Sequence, residues 1–168
     1  MPIVSNTSPI LNLSIIGELD LLRRQFAEVL IPPAVQMELK VETELPGAVA
    51  IRQAMEAQWL RVVDLENSHL ARALALELDQ GEAAAIALAP ELGTEHILMD
   101  EHDGRARAKA MGVQPVGVLG VLLRAKREGH LGSVESALWD LRREAGFFIA
   151  EDLFEALLVE AGERRWNP

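Results

Sequence analysis

Apolar positions along this chain follow two rhythms. Short aliphatic or β-branched runs at 2–5, 28–31, 60–64, 97–99 and 113–116 read as strands. The first ends at Asn6, the second is stopped by Pro32 and Pro33, and the third alternates weakly, as an edge strand does. Between them apolar residues recur at helical spacing. Ile10, Leu13, Ile16, Leu19 and Leu22 mark 9–24 as two short helices broken at Gly17. Further helices are predicted over 33–43, from Pro46-Gly47 to Gln58, from Asn67-Ser68 to Leu78, and over Ala83–Leu92. Another follows the strand at 97–99 and stops at Gly112.

From Gly117 onward the pattern is wholly helical, over 118–128, 133–145 and 150–161, each stopped by a glycine. Strands separated by helices imply parallel βαβ units with right-handed crossovers, an α/β fold with helices on both faces of one sheet. The length fits a single domain over 1–168, with 130–168 a helical extension packed on it. Leu138, Trp139, Leu141, Phe147, Phe148, Leu153, Phe154 and Leu157 carry much of the aromatic surface of that extension, most of it expected to be core.

Composition narrows the chemistry. Without cysteine the chain has neither disulfides nor thiolate metal sites. It shows no signal-peptide pattern and no apolar stretch near the ~20 residues a bilayer span needs, so a soluble cytoplasmic protein is expected. The net charge of -10 is uneven: residues 1–100 hold 6 Lys/Arg against 15 Asp/Glu, and 101–168 hold 10 against 11. Nucleic acid would therefore need a local basic patch or a metal to approach. With no Tyr, 4 Phe and 3 Trp, an aromatic platform for single strands is not expected.

The carboxylates draw attention by position. The apolar run at 97–99 ends in Asp100, Glu101 and Asp103, and strand carboxyl ends are where open α/β sheets bind ligands. Each acid also has a structural reading. Asp100 can cap the following helix, Asp103 can pair with Arg107, and Asp79 with Glu82 forms a capping-box pattern. Glu38 falls beside Val35 and Leu39 on the stripe that should face inward, or is solvated with Glu42 if the helix rolls. Crowded carboxylates repel one another unless a cation offsets them, and Mg²⁺ or Mn²⁺ suits an all-oxygen donor set. His69, His96, His102 and His130 show no zinc-ligand spacing. There is no Walker loop, dinucleotide fingerprint or nucleophile elbow. Gly117 and Gly120 offer only a weak phosphate cradle. Arg105, Arg107 and Lys109, with Arg124, Lys126 and Arg127, form either a basic rim or a solvated helix face.

Five blocks in order resemble the PIN-domain proteins, in particular a PIN-like branch of predicted nucleic-acid-binding proteins. They are Val-Ser-Asn-Thr-Ser-Pro-Ile-Leu at 4–11, Val-Leu-Ile-Pro-Pro-Ala-Val at 29–35 with Glu38 following, and Asp-Gln-Gly-Glu-Ala-Ala-Ala-Ile-Ala-Leu-Ala at 79–89. Met-Asp-Glu-His-Asp-Gly-Arg at 99–105 and Gly-Val-Leu-Gly-Val-Leu-Leu-Arg-Ala-Lys at 117–126 complete the set. The resemblance implies a Rossmann-like three-layer α/β/α sandwich whose carboxylates bind Mg²⁺ or Mn²⁺ to hydrolyse RNA phosphodiesters. It also implies a toxin of a type II toxin–antitoxin pair, an antitoxin partner and a homodimer.

By position Glu38, Glu82, Asp100, Glu101 and Asp103 match the family's acids, with Asp100 and Glu101 both candidates for one place. Asn6 stands where most such nucleases carry aspartate, keeping one carbonyl oxygen without charge. Thr7 and Ser8 keep the family's small hydroxyls as supports for the acids, while Val118 replaces a frequent hydroxyl residue. The alternative is a PIN-like binding or partner module with weak or no catalysis. A phosphatase of another Rossmann-like class is disfavoured because no nucleophilic aspartate follows the first strand.

Overall fold

The computed structural model describes residues 1–165 and 167; positions 166 and 168, within the expected C-terminal extension, lie outside the described residues. The chain runs β1 (Ile3–Ser5), α1 (Thr7–Ile15), α2 (Asp20–Phe26), β2 (Val29–Ile31), α3 (Pro33–Leu39), α4 (Ala48–Glu56) and β3 (Leu60–Val62). It continues through α5 (His69–Leu74), α6 (Gln80–Glu91), β4 (His96–Leu98), α7 (His102–Ala110), β5 (Gln114–Val116), α8 (Val118–Arg127), α9 (Val134–Arg143) and α10 (Glu151–Glu160).

The five strands form one all-parallel sheet in the order β3-β2-β1-β4-β5, flanked by helices as a three-layer α/β/α sandwich. The three central strands lie under helices, which is why β1 and β2 are buried at every position and read as unbroken apolar runs. β3 is an edge strand, as its weak alternation predicts. Among the described residues no helix is long and apolar enough to cross a membrane.

Helix α6 shows how composition positions the site. Residues Gly81 to Ala89 are all buried, and alanine in five of those positions lets α6 lie close to α3, α5, α7 and the central strands. Its start is three residues earlier than the alanine run suggests, because Asp79 caps the helix at Gln80.

Other boundaries also move. α1 begins at Thr7 rather than at Pro9, since proline is tolerated within a first turn, where its missing N–H has no helical partner. α3 stops at Leu39, not 43, because Lys40 adopts a left-handed conformation with φ 51°. The carbonyls of Val41 and Thr43 beyond it accept from the Arg52 guanidinium at 2.5 and 2.9 Å. α5 ends at Leu74 rather than 78.

The C-terminal helices bury Leu138, Leu141, Phe154 and Leu157. Phe154 meets Trp139 edge-on at 5.3 Å, and the Arg142 guanidinium lies 4.2 Å from the Phe154 ring centre. Phe148, Trp139 and Leu153 are exposed, Phe148 with its side chain almost wholly in solvent.

Glu163 fastens the end of this region. Its carboxylate accepts from the N–H groups of Val134 at 2.7 Å and Glu135 at 3.0 Å, capping α9, and lies 3.4 Å from the Lys126 ammonium. Burial pushes its pKa up, but the Glu135 and Val134 N–H groups and Lys126 outweigh that and hold it below its ordinary value. A lowered carboxyl stabilises the fold above its unfolded pKa, about 4.3, and that contribution is lost as pH falls through the folded value. Glu163→Gln is therefore expected to cost roughly 1–2 kcal/mol at pH 7, with the deficit shrinking below about pH 4. Urea unfolding at both pH values checks this, and an equal deficit at pH 3 would assign the effect to shape rather than charge.

Candidate functional site

Strand order reverses between β1 and β4: the chain leaves β1 toward β2 and leaves β4 toward β5. Such a switch point opens a crevice at the carboxyl ends of the two strands. Asn6 follows β1 there, and Asp100 and Glu101 follow β4. The Asn6 N–H donates to the Leu98 carbonyl at 3.2 Å, extending the sheet pairing by one residue.

The Asn6 side chain is buried, and its Nδ2 donates to Glu101 Oε2 at 2.9 Å and toward Met99 Sδ at 3.1 Å. Ser8 Oγ, in the first turn of α1, donates to Glu101 Oε1. Glu101 is thus held from both oxygens by the residues that follow β1. Asn6 Oδ1 is left buried with no hydrogen-bond partner.

Two more acids reach this edge from helices. Glu38, one position before the end of α3, is exposed rather than on the inward stripe. Its carboxylate accepts from Thr7 Oγ1 and from the Gly81 N–H at 3.1 Å, so it bridges the first turns of α1 and α6. Glu82 is buried and completes the capping box: its N–H donates to Asp79 Oδ1 at 2.8 Å, and its Oε2 accepts from the Asp79 N–H at 3.3 Å. Burial raises the Glu82 pKa to about 7, with the negative charges of Asp79 and Glu101 adding to the rise and the Asp79 backbone bond opposing it.

The three acids after β4 point three ways. Asp100 turns to α8, where its Oδ1 accepts from the Val118 N–H at 3.0 Å while Oδ2 is buried without a partner. Burial pushes its pKa up to about 6, opposed by the Val118 bond, raised further by Glu101 and lowered by Arg105. Asp100 therefore occupies the helix start where Gly117 suggested a phosphate cradle. Asp103 is not brought to the cluster: its carboxylate is solvent-exposed beside His102 at 3.3 Å. The alternative Asp103–Arg107 pair does not form among the described residues either, because Arg107 reaches Glu77.

The expected basic rim is also redirected. The Arg105 guanidinium donates to the Met99 carbonyl at 2.9 Å, beneath the site. Lys109 sits exposed in the last turn of α7. Arg124 pairs with Glu128 at 2.7 Å, and Lys126 donates to the Gly132 carbonyl at 2.8 Å. Arg124 and Arg127 line a cavity of about 620 Å³, which opens beside the starts of β1 and β4 and touches none of the acids of the cluster.

Close approach depends on glycines that carry no chemistry of their own. A Cβ on Gly81 would stand 2.7 Å from Glu38 Oε1, and one on Gly104 would stand 2.7 Å from Met99 Sδ and 2.9 Å from Glu82 Oε1. Their sequence signal is slight, a glycine inside the first turn of each helix. Alanine favours helix by about 1 kcal/mol over glycine. At Gly81 the obstructing Glu38 carboxylate can swing into solvent, so Gly81→Ala is expected to leave stability unchanged or slightly raised. At Gly104 both neighbours are buried, and Gly104→Ala is expected to destabilise by roughly 1–2 kcal/mol. Denaturant unfolding of the two variants checks the contrast, and equal effects would remove the packing role assigned to Gly104.

The donor atoms suit a hard divalent ion in kind, being carboxylates and an amide carbonyl. The unpartnered Asn6 Oδ1 and the mutual repulsion of Glu82 and Glu101 are features a cation would relieve. Among the described residues, however, no three Asp, Glu or His side chains converge closely enough to hold a metal ion. Backbone donors and the Asn6, Thr7 and Ser8 side chains meet the acids in part, leaving Asp100 Oδ2 and Asn6 Oδ1 without partners.

A carboxyl with a raised pKa binds its proton more readily in the folded chain. Folding then takes up protons between the unfolded value and about pH 7, and stability falls as pH rises across that window. Glu82→Gln keeps the capping-box bonds and removes the charge. In chelator it is expected to raise stability at pH 8 by roughly 1–3 kcal/mol and to change little at pH 4. Thermal unfolding at the two pH values measures this; an unchanged stability at pH 8 would mean that Glu82 ionises there without cost.

No curated protein and no solved structure matches the chain significantly. A family model described as a PIN domain matches residues 2–163.

Proposed function

Because the chain belongs to the PIN-domain family, a nuclease-type fold, we propose that it is a Mg²⁺- or Mn²⁺-dependent endoribonuclease whose site is built on Asn6, Glu82 and Glu101. The observation that carries this reading is the buried Asn6 at the β1/β4 switch point, whose amide grips Glu101 together with Ser8 while its carbonyl oxygen is left without a partner. Glu82 and Glu101, with the Asn6 carbonyl oxygen, would hold the ion; Glu38 stands at the exposed rim. A bound divalent ion supplies an activated water and offsets charge on the phosphodiester. Asn6 fixes the orientation of Glu101 through Nδ2, and Ser8 fixes its other oxygen. Thr7 and the Gly81 N–H hold Glu38 at the mouth. Burial keeps Glu82 partly protonated near neutral pH, and a bound cation would favour its ionised form.

The same reading extends to a toxin of a type II pair, cytoplasmic and homodimeric, silenced by an antitoxin protein. A second reading is a partner module with weak or no catalysis. It is favoured by the neutral Asn6, the capping box that already employs Glu82, and the lack of a three-acid group among the described residues.

Metal-dependent cleavage of RNA and metal-induced stabilisation separate the two. On the first reading millimolar Mn²⁺ raises the melting temperature by mass action and supports cleavage, and Glu82→Ala and Glu101→Ala lower the rate at least about 100-fold. Asn6→Asp is expected to lower metal-free stability, by replacing the donor to Glu101 with a third charge, and to enlarge the Mn²⁺ shift. Protein free of contaminating nuclease that shows neither cleavage nor a shift supports the partner module.

A further inference from the structure

Between α9 and α10 the chain crosses the rim of the acid site as an irregular segment over 146–150. This segment is anchored on both sides of Phe148. The Phe147 N–H donates to the Leu141 carbonyl at 2.9 Å and its ring packs against the core, while Ile149 is buried and its carbonyl accepts from Arg142 at 2.6 Å. Between these anchors Phe148 is 87% exposed. Its neighbours on both sides turn to the core, and Phe148 alone of the three is left in solvent.

Phe148 borders a hollow of about 320 Å³ whose lining also includes Ser8, Asn12, Asp100, Glu101 and the half-buried Phe147. Asn12 lies one helical turn after Ser8 on α1, half-buried, and its amide makes no hydrogen bond among the described residues. The hollow is therefore continuous with the Ser8–Glu101 bond of the acid site. Resting on the nuclease reading, we propose that it is a subsite for one unpaired nucleobase, with Phe148 as the stacking face and Asn12 as the group that reads the base edge.

The chemistry of the lining selects that part of a nucleotide. Its charged residues are Asp100 and Glu101, which disfavour a phosphate and tolerate a neutral ring. The volume is at the small end of ligand pockets, sufficient for a planar ring system. An amide both donates and accepts, as base edges require. Stacking on a side chain needs a base free of its own stack, so the substrate class is single-stranded RNA or an unpaired loop. The scarcity of aromatics argues against an extended platform, yet one anchored ring beside the acids serves a single base.

The test uses a single-stranded oligoribonucleotide carrying 2-aminopurine, titrated with the parent protein and with Phe148→Ala, Phe148→Trp and Asn12→Ala, in Mg²⁺ and in chelator. Cleavage of an unlabelled strand is assayed separately. The parent is expected to quench the fluorophore and to prefer the single strand over its duplex. Phe148→Ala should abolish quenching and weaken binding roughly 5- to 100-fold, Phe148→Trp should restore both, and Asn12→Ala should weaken binding while quenching persists. Binding and quenching by Phe148→Ala equal to the parent's overturn the subsite whether or not the protein cleaves RNA. Failure of the parent to bind the single strand overturns it as well. Phe148-dependent binding without metal-dependent cleavage leaves the subsite standing and removes the nuclease reading.

Discussion

Glu38, Glu82, Asp100 and Glu101 crowd one edge of a parallel sheet, and each is held there by a donor that the fold supplies. The Gly81 N–H meets Glu38, the Asp79 N–H meets Glu82, the Val118 N–H meets Asp100, and the Asn6 and Ser8 side chains meet Glu101. Most of these donors sit at or beside the starts of α1, α6 and α8. Helix N-termini carry unsatisfied N–H groups and partial positive charge, so they are places where buried carboxylates cost least. Parallel strands followed by helices collect such starts along one edge.

Compensation is incomplete, and its shortfall is where chemistry becomes available. Raised pKa values at Glu82 and Asp100 show two acids whose charge the protein does not fully offset. Their surroundings differ. Asp100 is turned to the α8 backbone, whereas Glu82 feels Glu101 directly, and the unpartnered oxygen of Asn6 belongs to the same neighbourhood. Asn6 is the pivot of this balance. Its amide NH₂ bonds Glu101, a role no ionised aspartate could fill, and it lowers the repulsion that a metal would otherwise have to neutralise.

The site is braced by parts of the chain far from it in sequence. Alanines along α6 let that helix sink onto β1 and β4, and Gly81 and Gly104 let carboxylates approach backbone that any Cβ would block. The C-terminal helices contribute differently. Their core residues and the Glu163 cap on α9 make a firm support, from which the 146–150 segment presents Phe148 at the mouth of the acid site. An aromatic ring left in water between two anchored neighbours is unusual for a residue type that usually buries.

Much of the architecture was legible in the order of residues: the five strands, the parallel sheet with helices on both faces, the edge position of β3, the capping box at Asp79 and Glu82, and the family resemblance. These are properties of local pattern, since apolar period, proline and capping residues act within a few positions of themselves. What local pattern could not decide was direction. Asp100, Glu101 and Asp103 are near neighbours in sequence, yet one caps α8, one is bound by the residues after β1, and one faces solvent. Phe147 and Phe148 are likewise adjacent and opposite in fate. Such assignments follow from which distant backbone donor or core surface each side chain meets, and those meetings exist only once the strands are ordered and the helices packed.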